Sequence, residues 1–219
     1  MSDVSKWDKM VSGDVEFVMG LQGVQDLSSY TTLPMIVFSG SSNVGKSSLI
    51  SAVCRRKKLA RRSKRPGSTS QINLFQVEKS SLLADMPGYG YAKISNRTSA
   101  KINKLVTWFL RYVENIALVN VLVDVRKGVT VKDIAALEYV FSAHHMCQIV
   151  LTKVDQIDKK YIDNACFNAQ EEVYKVFKEE VNVIPTSAFG SFGVSRLTET
   201  FTACIENWVP SYDSKFESG

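Results

Sequence analysis

The sequence has few of the features that mark membrane, secreted or metal-binding proteins. No apolar run approaches the roughly 20 residues that a membrane-spanning helix needs. The opening residues, 1–6, contain no basic segment followed by an apolar one, so we expect no signal peptide. The two histidines, His144 and His145, are adjacent and have no metal-ligand spacing around them. We therefore expect a cytoplasmic protein without membrane association.

Cysteine is also sparse, and its four positions form no C-x-x-C pair. Such scattered cysteines are typical of buried free thiols in a reducing cytosol. They are Cys54, Cys147, Cys166 and Cys204. The chain has 219 residues, of which 45% are hydrophobic and 22% are charged. That length and composition fit one globular α/β domain with a sizeable core, and we expect a monomer.

Acidic residues are missing from one stretch, residues 55–65, which contains eight basic residues. The formal net charge is +5, yet outside this stretch 19 basic residues stand against 22 acidic ones. The basic character is therefore local. Such a run commonly meets nucleic acid or an acidic surface, and eight charges exceed what one nucleotide needs. The alternative is a solvated loop face that only attracts an anionic nucleotide.

The most informative motif that is present is the pattern G-x-x-x-x-G-K-S, between a strand-like apolar run and a predicted helix. Two glycines let the backbone wrap around a phosphate, and successive N–H groups with the helix N-terminus attract an anion. Lys46 would reach the β- and γ-phosphates, and the Ser47 hydroxyl is a hard oxygen ligand suited to Mg²⁺. The predicted phosphate-binding residues are Gly40, Ser41, Ser42, Asn43, Val44, Gly45, Lys46 and Ser47.

From residue 35 onward, apolar runs alternate with helical patterns. Strands are predicted at 35–39, 72–77, 81–85, 118–125, 147–152 and 181–185. Helices are predicted from 48 to about 54 and at 98–115, 131–144, 158–180 and 194–208. The second and third strands are close enough for an antiparallel hairpin, and the others indicate a parallel sheet covered on both faces.

This pattern predicts a three-layer α/β fold of the P-loop NTPase class, with a mostly parallel sheet, one antiparallel strand and helices on both faces. The predicted domain spans residues 34–209. Residues 1–33 are predicted to be an N-terminal extension packed on that domain, and residues 210–219 a C-terminal tail.

Three further motifs fall where predicted strands end, which is where such sheets bind ligands. Asp85 could hold Mg²⁺ through water, and the Gly88 N–H could meet a terminal phosphate. The Asp155 carboxylate could accept two donors of guanine that adenine lacks, while the Lys153 stem lies over the purine. Each string is common alone, but their order and spacing are jointly specific. The nucleotide-binding residues predicted here are Asp85, Met86, Pro87, Gly88, Thr152, Lys153, Val154, Asp155, Thr186, Ser187 and Ala188.

These motifs resemble those of the EngB (YihA/YsxC) family of ribosome-biogenesis GTPases, in the TrmE-Era-EngA-YihA-Septin-like GTPase class. Residues 40–50 resemble its first motif, residues 63–69 its switch I signature and residues 85–92 its switch II signature. The similarity extends from about Phe17 to Trp208. It implies a Ras-like G domain that hydrolyses GTP to GDP in assembly of the large ribosomal subunit, with a link to normal septation and cell division. The basic run would then meet that subunit or its ribosomal RNA.

The resemblance also implies residue roles. Thr69 would complete the Mg²⁺ coordination that Ser47 and Asp85 begin, and it would touch the γ-phosphate. The implied catalytic residues are Lys46, Thr69 and Gly88. Switch I would line the nucleotide site with Gly67, Ser68, Thr69, Ser70 and Gln71. This chain departs from the family pattern at Ser41, where Arg is usual, at Arg65, where Thr is usual, at Ser68, where a basic residue is common, and at Gln156, where Lys is usual.

Two loop positions bear on the rate of hydrolysis. Tyr89 follows Gly88, where small GTPases often carry a glutamine that orients the attacking water. We therefore expect slow intrinsic turnover that a partner accelerates. Several related GTPases carry Asn at the position of Asn43 and use it to hold K⁺ beside the phosphates, so K⁺ is a candidate second ion. The alternative is that Asn43 only tolerates a left-handed loop backbone.

Other functions share part of this pattern. A Ras-type membrane switch usually needs a lipid anchor, and residues 216–219 contain no cysteine for one. A metabolic ATP-dependent kinase shares only the first loop, and Asp155 speaks against it. A GTP-dependent switch acting on a non-ribosomal protein and a nucleotide sensor without hydrolysis remain open, although Thr69 and Asp85 favour hydrolysis.

Overall fold

The computed structural model describes residues 5–22, 30, 32–56, 59, 71–89 and 96–210. Seven strands in these residues form one sheet: β1 (Val15–Leu21), β2 (Met35–Gly40), β3 (Ile72–Val77), β4 (Ser81–Asp85), β5 (Ile116–Asp124), β6 (Cys147–Thr152) and β7 (Asn182–Pro185). Their order across the sheet is β1-β3-β4-β2-β5-β6-β7. β3 pairs antiparallel with β1 and β4, and the other pairs are parallel. The predicted single antiparallel strand is confirmed.

Helices cover both faces of this sheet, because strands such as β5 are buried along their whole length and expose neither face to water. The helices of the described residues are α1 (Lys6–Ser12), α2 (Lys46–Val53), α3 (Asn96–Tyr112), α4 (Val131–Ser142), α5 (Ile162–Phe177) and α6 (Val194–Glu206). α1, α2 and α6 contribute to the core on one face, and α3, α4 and α5 to the core on the other. The predicted three-layer fold is confirmed.

Neither α1 nor β1 is predicted by the sequence pattern. Trp7 anchors α1: it is fully buried, its indole N–H donates to Val53 O at 2.7 Å, and its ring meets that of Phe201 edge-on at 5.3 Å. β1 adds an edge strand to β3, with a bulge between Phe17 and Met19 that interrupts the alternation expected of a strand. The N-terminal segment therefore contributes one helix and one strand to the sheet and core.

The remaining elements agree with the predictions except at their ends. The hairpin strands β3 and β4 have the predicted bounds. The helix predicted at 158–180 is shorter, because short 3₁₀ turns at Val154–Gln156 and Lys159–Tyr161 precede α5. It ends where Lys178 adopts a left-handed backbone, with φ of 59°.

No helix of the described residues is both long and apolar enough to cross a membrane. All four cysteines are free. Cys54 is buried, and this burial raises the pKa of its thiol to about 12. The other three cysteines are only half-buried, which differs from the prediction of buried thiols.

Candidate functional site

The predicted motifs meet at one edge of the sheet, where β2, β4, β6 and β7 end. These four strands run parallel to one another, so the loops that follow them lie on the same side. The loop after β2 is residues 41–45, here called the phosphate loop. Residues 86–89 follow β4, residues 153–155 follow β6 and residues 186–189 follow β7.

The phosphate loop has the backbone that its sequence predicts. Gly45 has φ of 107°, a conformation that strains any residue with a side chain. Asn43 has φ of 65°, which is the left-handed backbone that we gave as one explanation of this residue. The Val44 N–H donates to Ser41 O at 3.2 Å and closes a turn. α2 begins directly afterwards at Lys46, so the unpaired N–H groups of its first turn face the loop.

Lys46 and Asp85 form an ion pair between the start of α2 and the end of β4. Their side chains are only 12% and 9% exposed, so each charge compensates the burial of the other. The predicted phosphate-binding cation therefore adjoins the predicted Mg²⁺-site carboxylate.

The donor set at this point fits Mg²⁺, because the Asp85 carboxylate and the Ser47 hydroxyl are both hard oxygen ligands. Within the described ranges, no group of three or more carboxylate, histidine or cysteine side chains could hold a metal ion alone. An ion bound jointly by the protein and by nucleotide phosphates fits this sparse ligand set.

Residues 86–89 lie against the phosphate loop. Met86 is buried in the core and its N–H donates to Phe38 O at 3.0 Å, so its backbone rather than its side chain lies at the site. A Cβ atom on Gly88 would lie 3.3 Å from Ser42 Cα, so a glycine permits this close approach. Tyr89 O accepts a hydrogen bond of 2.9 Å from the Ser42 N–H.

A cavity of about 350 Å³ opens beside the phosphate loop, between the ends of β6 and β7. The exposed Asp155 lies in its wall, and Ser187 Oγ donates to Asp155 Oδ1 at 2.5 Å, which orients the carboxylate. A fixed carboxylate can accept two adjacent donors of a planar base. The residues around the opening include Gly45, Lys153, Asp155, Thr186, Ser187 and Ala188.

Thr152, at the end of β6, and Lys153, which follows it, are hydrogen-bonded directly to the phosphate loop. Thr152 Oγ1 donates to Val44 O at 2.6 Å. Lys153 Nζ donates to Asn43 O at 2.7 Å and to Asp124 Oδ2 at 2.9 Å. The cavity and the phosphate loop are therefore parts of one hydrogen-bonded unit.

Asp124, at the end of β5, supports this unit by accepting the hydrogen bond from Lys153. Arg126 donates to both of its carboxylate oxygens, through Nε at 2.8 Å and Nη2 at 2.6 Å, and also through its backbone N–H at 3.1 Å. These bonds, with that from Lys153, hold the pKa of the Asp124 carboxyl well below its usual range. The ionised form of Asp124 is therefore favoured in the folded protein.

Some predicted site residues lie away from the site or outside the described residues. Gly67, Ser68, Thr69 and Ser70, together with most of the basic run, lie outside the described residues. The Gln71 side chain contacts its neighbours in the β1–β3 region, donating to Asn73 at 2.7 Å and accepting from Gln22 at 3.1 Å. Val154 is 3% exposed, so its side chain belongs to the core.

Three residues of the site were missed by the sequence analysis. Asp124 ends a predicted buried strand, and a carboxylate at that position was a usable signal. Asp133 occupies the third helical position after Thr130, a spacing typical of a capping box. Phe189 lines the cavity while its side chain is 83% exposed, and nothing in the sequence distinguished it from a loop residue.

A family model described as a 50S ribosome-binding GTPase matches residues 35–176. The fold, the phosphate loop and this match define the chain as a P-loop GTPase. The probable GTP-binding protein EngB of Rickettsia prowazekii (strain Madrid E) is 33% identical over 201 residues, which are 92% of each chain. The protein of the same name from Caulobacter vibrioides is 37% identical over 88% of this chain and 84% of its own.

A solved structure with the same name supports the fold. The crystal structure of a probable GTP-binding protein EngB has a TM-score of 0.65 and 24% identity, over 80% of this chain and 100% of that chain. Together with the two relatives, which match nearly the whole sequence, these comparisons show that this chain belongs to the EngB family of GTP-binding proteins. The resemblance found in the sequence is confirmed.

Proposed function

We propose that this chain is a cytoplasmic, monomeric molecular switch that hydrolyses GTP to GDP and phosphate during assembly of the large ribosomal subunit. The normal septation and cell division associated with the family would depend on that assembly. The observation that supports binding of a guanine nucleotide is the position of the Asp155 carboxylate. Ser187 orients this carboxylate in the wall of the cavity, and Lys153, also in that wall, is hydrogen-bonded to the phosphate loop.

The nucleotide would span this site with its base in the cavity and its phosphates at the phosphate loop. Asp155 would accept the N1–H and exocyclic amine of guanine, Lys153 would cover the ring, and the backbone of residues 186–188 would meet the guanine oxygen. The loop N–H groups of residues 40–47 would bind the phosphates. Mg²⁺, held by Ser47, Thr69 and Asp85, would neutralise charge on the phosphate oxygens.

Hydrolysis would depend on charge stabilisation rather than on covalent chemistry. Lys46 would leave Asp85 to contact the β- and γ-phosphates, and the Gly88 N–H and Thr69 would contact the γ-phosphate. Residues 67–70 would line the phosphate end of the site. Tyr89 is bonded elsewhere and replaces the glutamine that orients water in many small GTPases, so turnover without a partner would be slower than about 1 s⁻¹.

A K⁺ ion beside Asn43 would add positive charge next to the phosphates. The residue has the exposed, left-handed backbone position that leaves its side chain available. Hydrolysis measured in KCl and in NaCl at equal ionic strength tests this ion. We expect faster hydrolysis in KCl, and equal rates would reject the ion while leaving GTP binding unaffected.

The basic run would supply the contact with ribosomal RNA. Of the basic residues in this run that the structure describes, Arg55 forms an ion pair with Asp8 at 2.6 Å, and Arg56 donates to Gly13 O at 2.6 Å. A test by substitution should therefore leave these two residues unchanged. The informative variant replaces Arg61, Arg62, Lys64 and Arg65 by alanine.

Co-sedimentation with large ribosomal subunits, under a GTP analogue and under GDP, tests the partner. We expect nucleotide-dependent binding that the four-residue variant weakens, with a shallower salt dependence because fewer counterions are released. A control variant removes four exposed charges elsewhere by replacing Lys101, Lys104, Lys127 and Lys160 with alanine. Failure of the unmodified protein to bind subunits would favour a GTP-dependent switch acting on a non-ribosomal protein.

A further inference from the structure

The backbone of Tyr89 is hydrogen-bonded on both of its sides, to the last residue of β2 and to the phosphate loop. Its N–H donates to Gly40 O at 3.3 Å, and its carbonyl oxygen accepts from the Ser42 N–H at 2.9 Å. Gly88 precedes it and packs against Ser42. The orientation of the Gly88 amide, which is expected at the γ-phosphate, therefore depends on where Tyr89 is held.

The Tyr89 side chain is fixed at its other end by α4. Its hydroxyl donates to Asp133 Oδ1 at 2.8 Å. The other carboxylate oxygen of Asp133 accepts from the Thr130 N–H at 2.8 Å and from Thr130 Oγ1 at 2.6 Å, which completes the capping box of α4. Asp133 is thus held by the helix that it caps and offers a fixed acceptor to the tyrosine.

The hydrogen bond from Tyr89 to Asp133 is strong because its acceptor is a buried carboxylate. Asp133 is only 2% exposed, and within the described part of the chain no lysine or arginine forms an ion pair with it. Its charge is compensated by donors, of which the tyrosine hydroxyl is one, so loss of that donor would leave a buried carboxylate less solvated. The structure therefore strongly favours the conformation in which the tyrosine points to α4.

This position excludes a direct chemical role for the tyrosine hydroxyl at the phosphate. Burial, with the adjacent Asp133 carboxylate, raises the pKa of the Tyr89 hydroxyl far above its usual range. The hydroxyl therefore keeps its proton and donates it in the hydrogen bond to Asp133, which is not the arrangement of a base towards water.

We propose that Asp133 is a positioning residue for GTP hydrolysis, which acts through Tyr89 to hold the Gly88 amide where the γ-phosphate arrives. The pair links the segment beside the phosphate loop to the first turn of α4. This inference rests on the proposed GTP hydrolysis. It concerns the step that distinguishes GTP from GDP, because only GTP carries the phosphate that meets Gly88.

The test is a set of variants in which the hydrogen bond is removed and single-turnover GTP hydrolysis and GDP affinity are both measured. Tyr89→Phe removes one hydroxyl and is expected to lower the rate of hydrolysis about tenfold, the factor typical of losing one hydrogen bond to a charged group, with GDP affinity within about twofold. Tyr139→Phe removes a hydroxyl elsewhere on α4 and is expected to leave the rate unchanged.

A double-mutant cycle separates positioning from stability. Asp133→Ala should lower the rate as Tyr89→Phe does, and the double variant should lose no more, because both single changes remove the same link. Trp7→Phe removes the indole bond to Val53 O and keeps the link between Tyr89 and Asp133, so it should lower the melting temperature without lowering the rate. An unchanged rate in Tyr89→Phe would overturn the inference while GTP binding stands. A wild-type chain that neither binds nor hydrolyses GTP would overturn the proposed function and the inference with it.

Discussion

Lys153 Nζ donates a hydrogen bond of 2.7 Å to the main-chain oxygen of Asn43, which joins the cavity at the end of β6 to the loop after β2. The same ammonium group is paired with Asp124 at 2.9 Å. The lysine that should cover the base is therefore also a structural support of the loop that should bind the phosphates. Changes that release Lys153 should weaken the binding of both parts of a nucleotide together.

Replacement of Asp124 by asparagine tests this coupling. The variant removes the charge that holds Lys153 and Arg126, so we expect affinities for GTP and GDP to fall by the same factor, about tenfold. Titration calorimetry with each nucleotide measures the two factors. Glu172→Gln is the control, because among the described residues Glu172 forms an exposed ion pair with Lys175 alone. A loss confined to GTP would contradict the coupling.

The Asp124 carboxyl also predicts a pH dependence of stability. Its pKa is lower in the folded protein than in the unfolded chain, where the ordinary value is about 3.9. The contribution of Asp124 to the free energy of unfolding is therefore fully present above that pH and is lost as pH falls below it. We expect the difference in melting temperature between wild type and Asp124→Asn to shrink between pH 6 and pH 3. A constant difference would argue against this ion-pair network.

Because Lys46 and Asp85 form an ion pair, we expect substitutions there to change the free energy of unfolding and the affinity for GTP independently. Lys46→Met leaves a nearly buried carboxylate unpaired, which should cost about 3 kcal/mol in the free energy of unfolding. Adding Asp85→Asn should recover most of that loss, because the uncompensated charge is removed. GTP affinity should stay low in both variants. Chemical denaturation and nucleotide titration of the same samples provide the two measurements, and recovery of GTP binding in the double variant would contradict the assigned role of Lys46.

Replacement of Asp155 by asparagine should change the preferred base. A carboxylate matches the two donors of guanine, whereas an amide offers one acceptor and one donor, which match the N1–H and C2 carbonyl of xanthine. We expect affinity for GTP to fall by about 100-fold or more and affinity for xanthosine triphosphate to rise. Asp158→Asn, three residues away and paired only with exposed Lys160 in the described structure, is the control. Equal loss of both nucleotides would place the base elsewhere.

The N-terminal helix should contribute strongly to stability although the sequence did not reveal it. Trp7→Ala removes a fully buried indole that packs on Phe201, so we expect a loss of about 3–5 kcal/mol. Trp7→Phe keeps most of the packing but loses the bond to Val53 O, so its loss should be smaller. Urea denaturation of the three proteins checks the order, and a neutral Trp7→Ala would show that α1 does not support the core.

The sequence predicted the sheet and the site where strong local signals exist. The hairpin of β3 and β4 and the strand–loop–helix around Lys46 follow from apolar runs, glycines and motif spacing. Edge strand β1 escaped prediction because its bulge and exposed positions leave no regular alternation. α1 was not predicted because its seven residues are too few to show a helical periodicity of apolar positions.

Within the site, the residues that belong to motifs could be predicted from the sequence. The residues that hold them in place through hydrogen bonds could not. The predicted residues Lys153 and Asp155 lie at the cavity, where their spacing placed them. Asp124 and Asp133 act through contacts with residues 29 and 44 positions away in the chain. Only the folded sheet brings such residues together, so a single sequence contains no local signal of the pairing.

The central claim is that the Asp155 carboxylate selects guanine for the triphosphate bound by the phosphate loop. Titration calorimetry of the purified chain with GTP and with ATP, both with Mg²⁺ present, tests it most directly. The account predicts GTP binding that is at least 100-fold tighter than ATP binding. A carboxylate that the bound base covers and leaves unpaired costs roughly 1–3 kcal/mol, and adenine would place its acceptor N1 against Asp155 where guanine places a donor. ATP bound as tightly as GTP, or neither nucleotide bound, would contradict it.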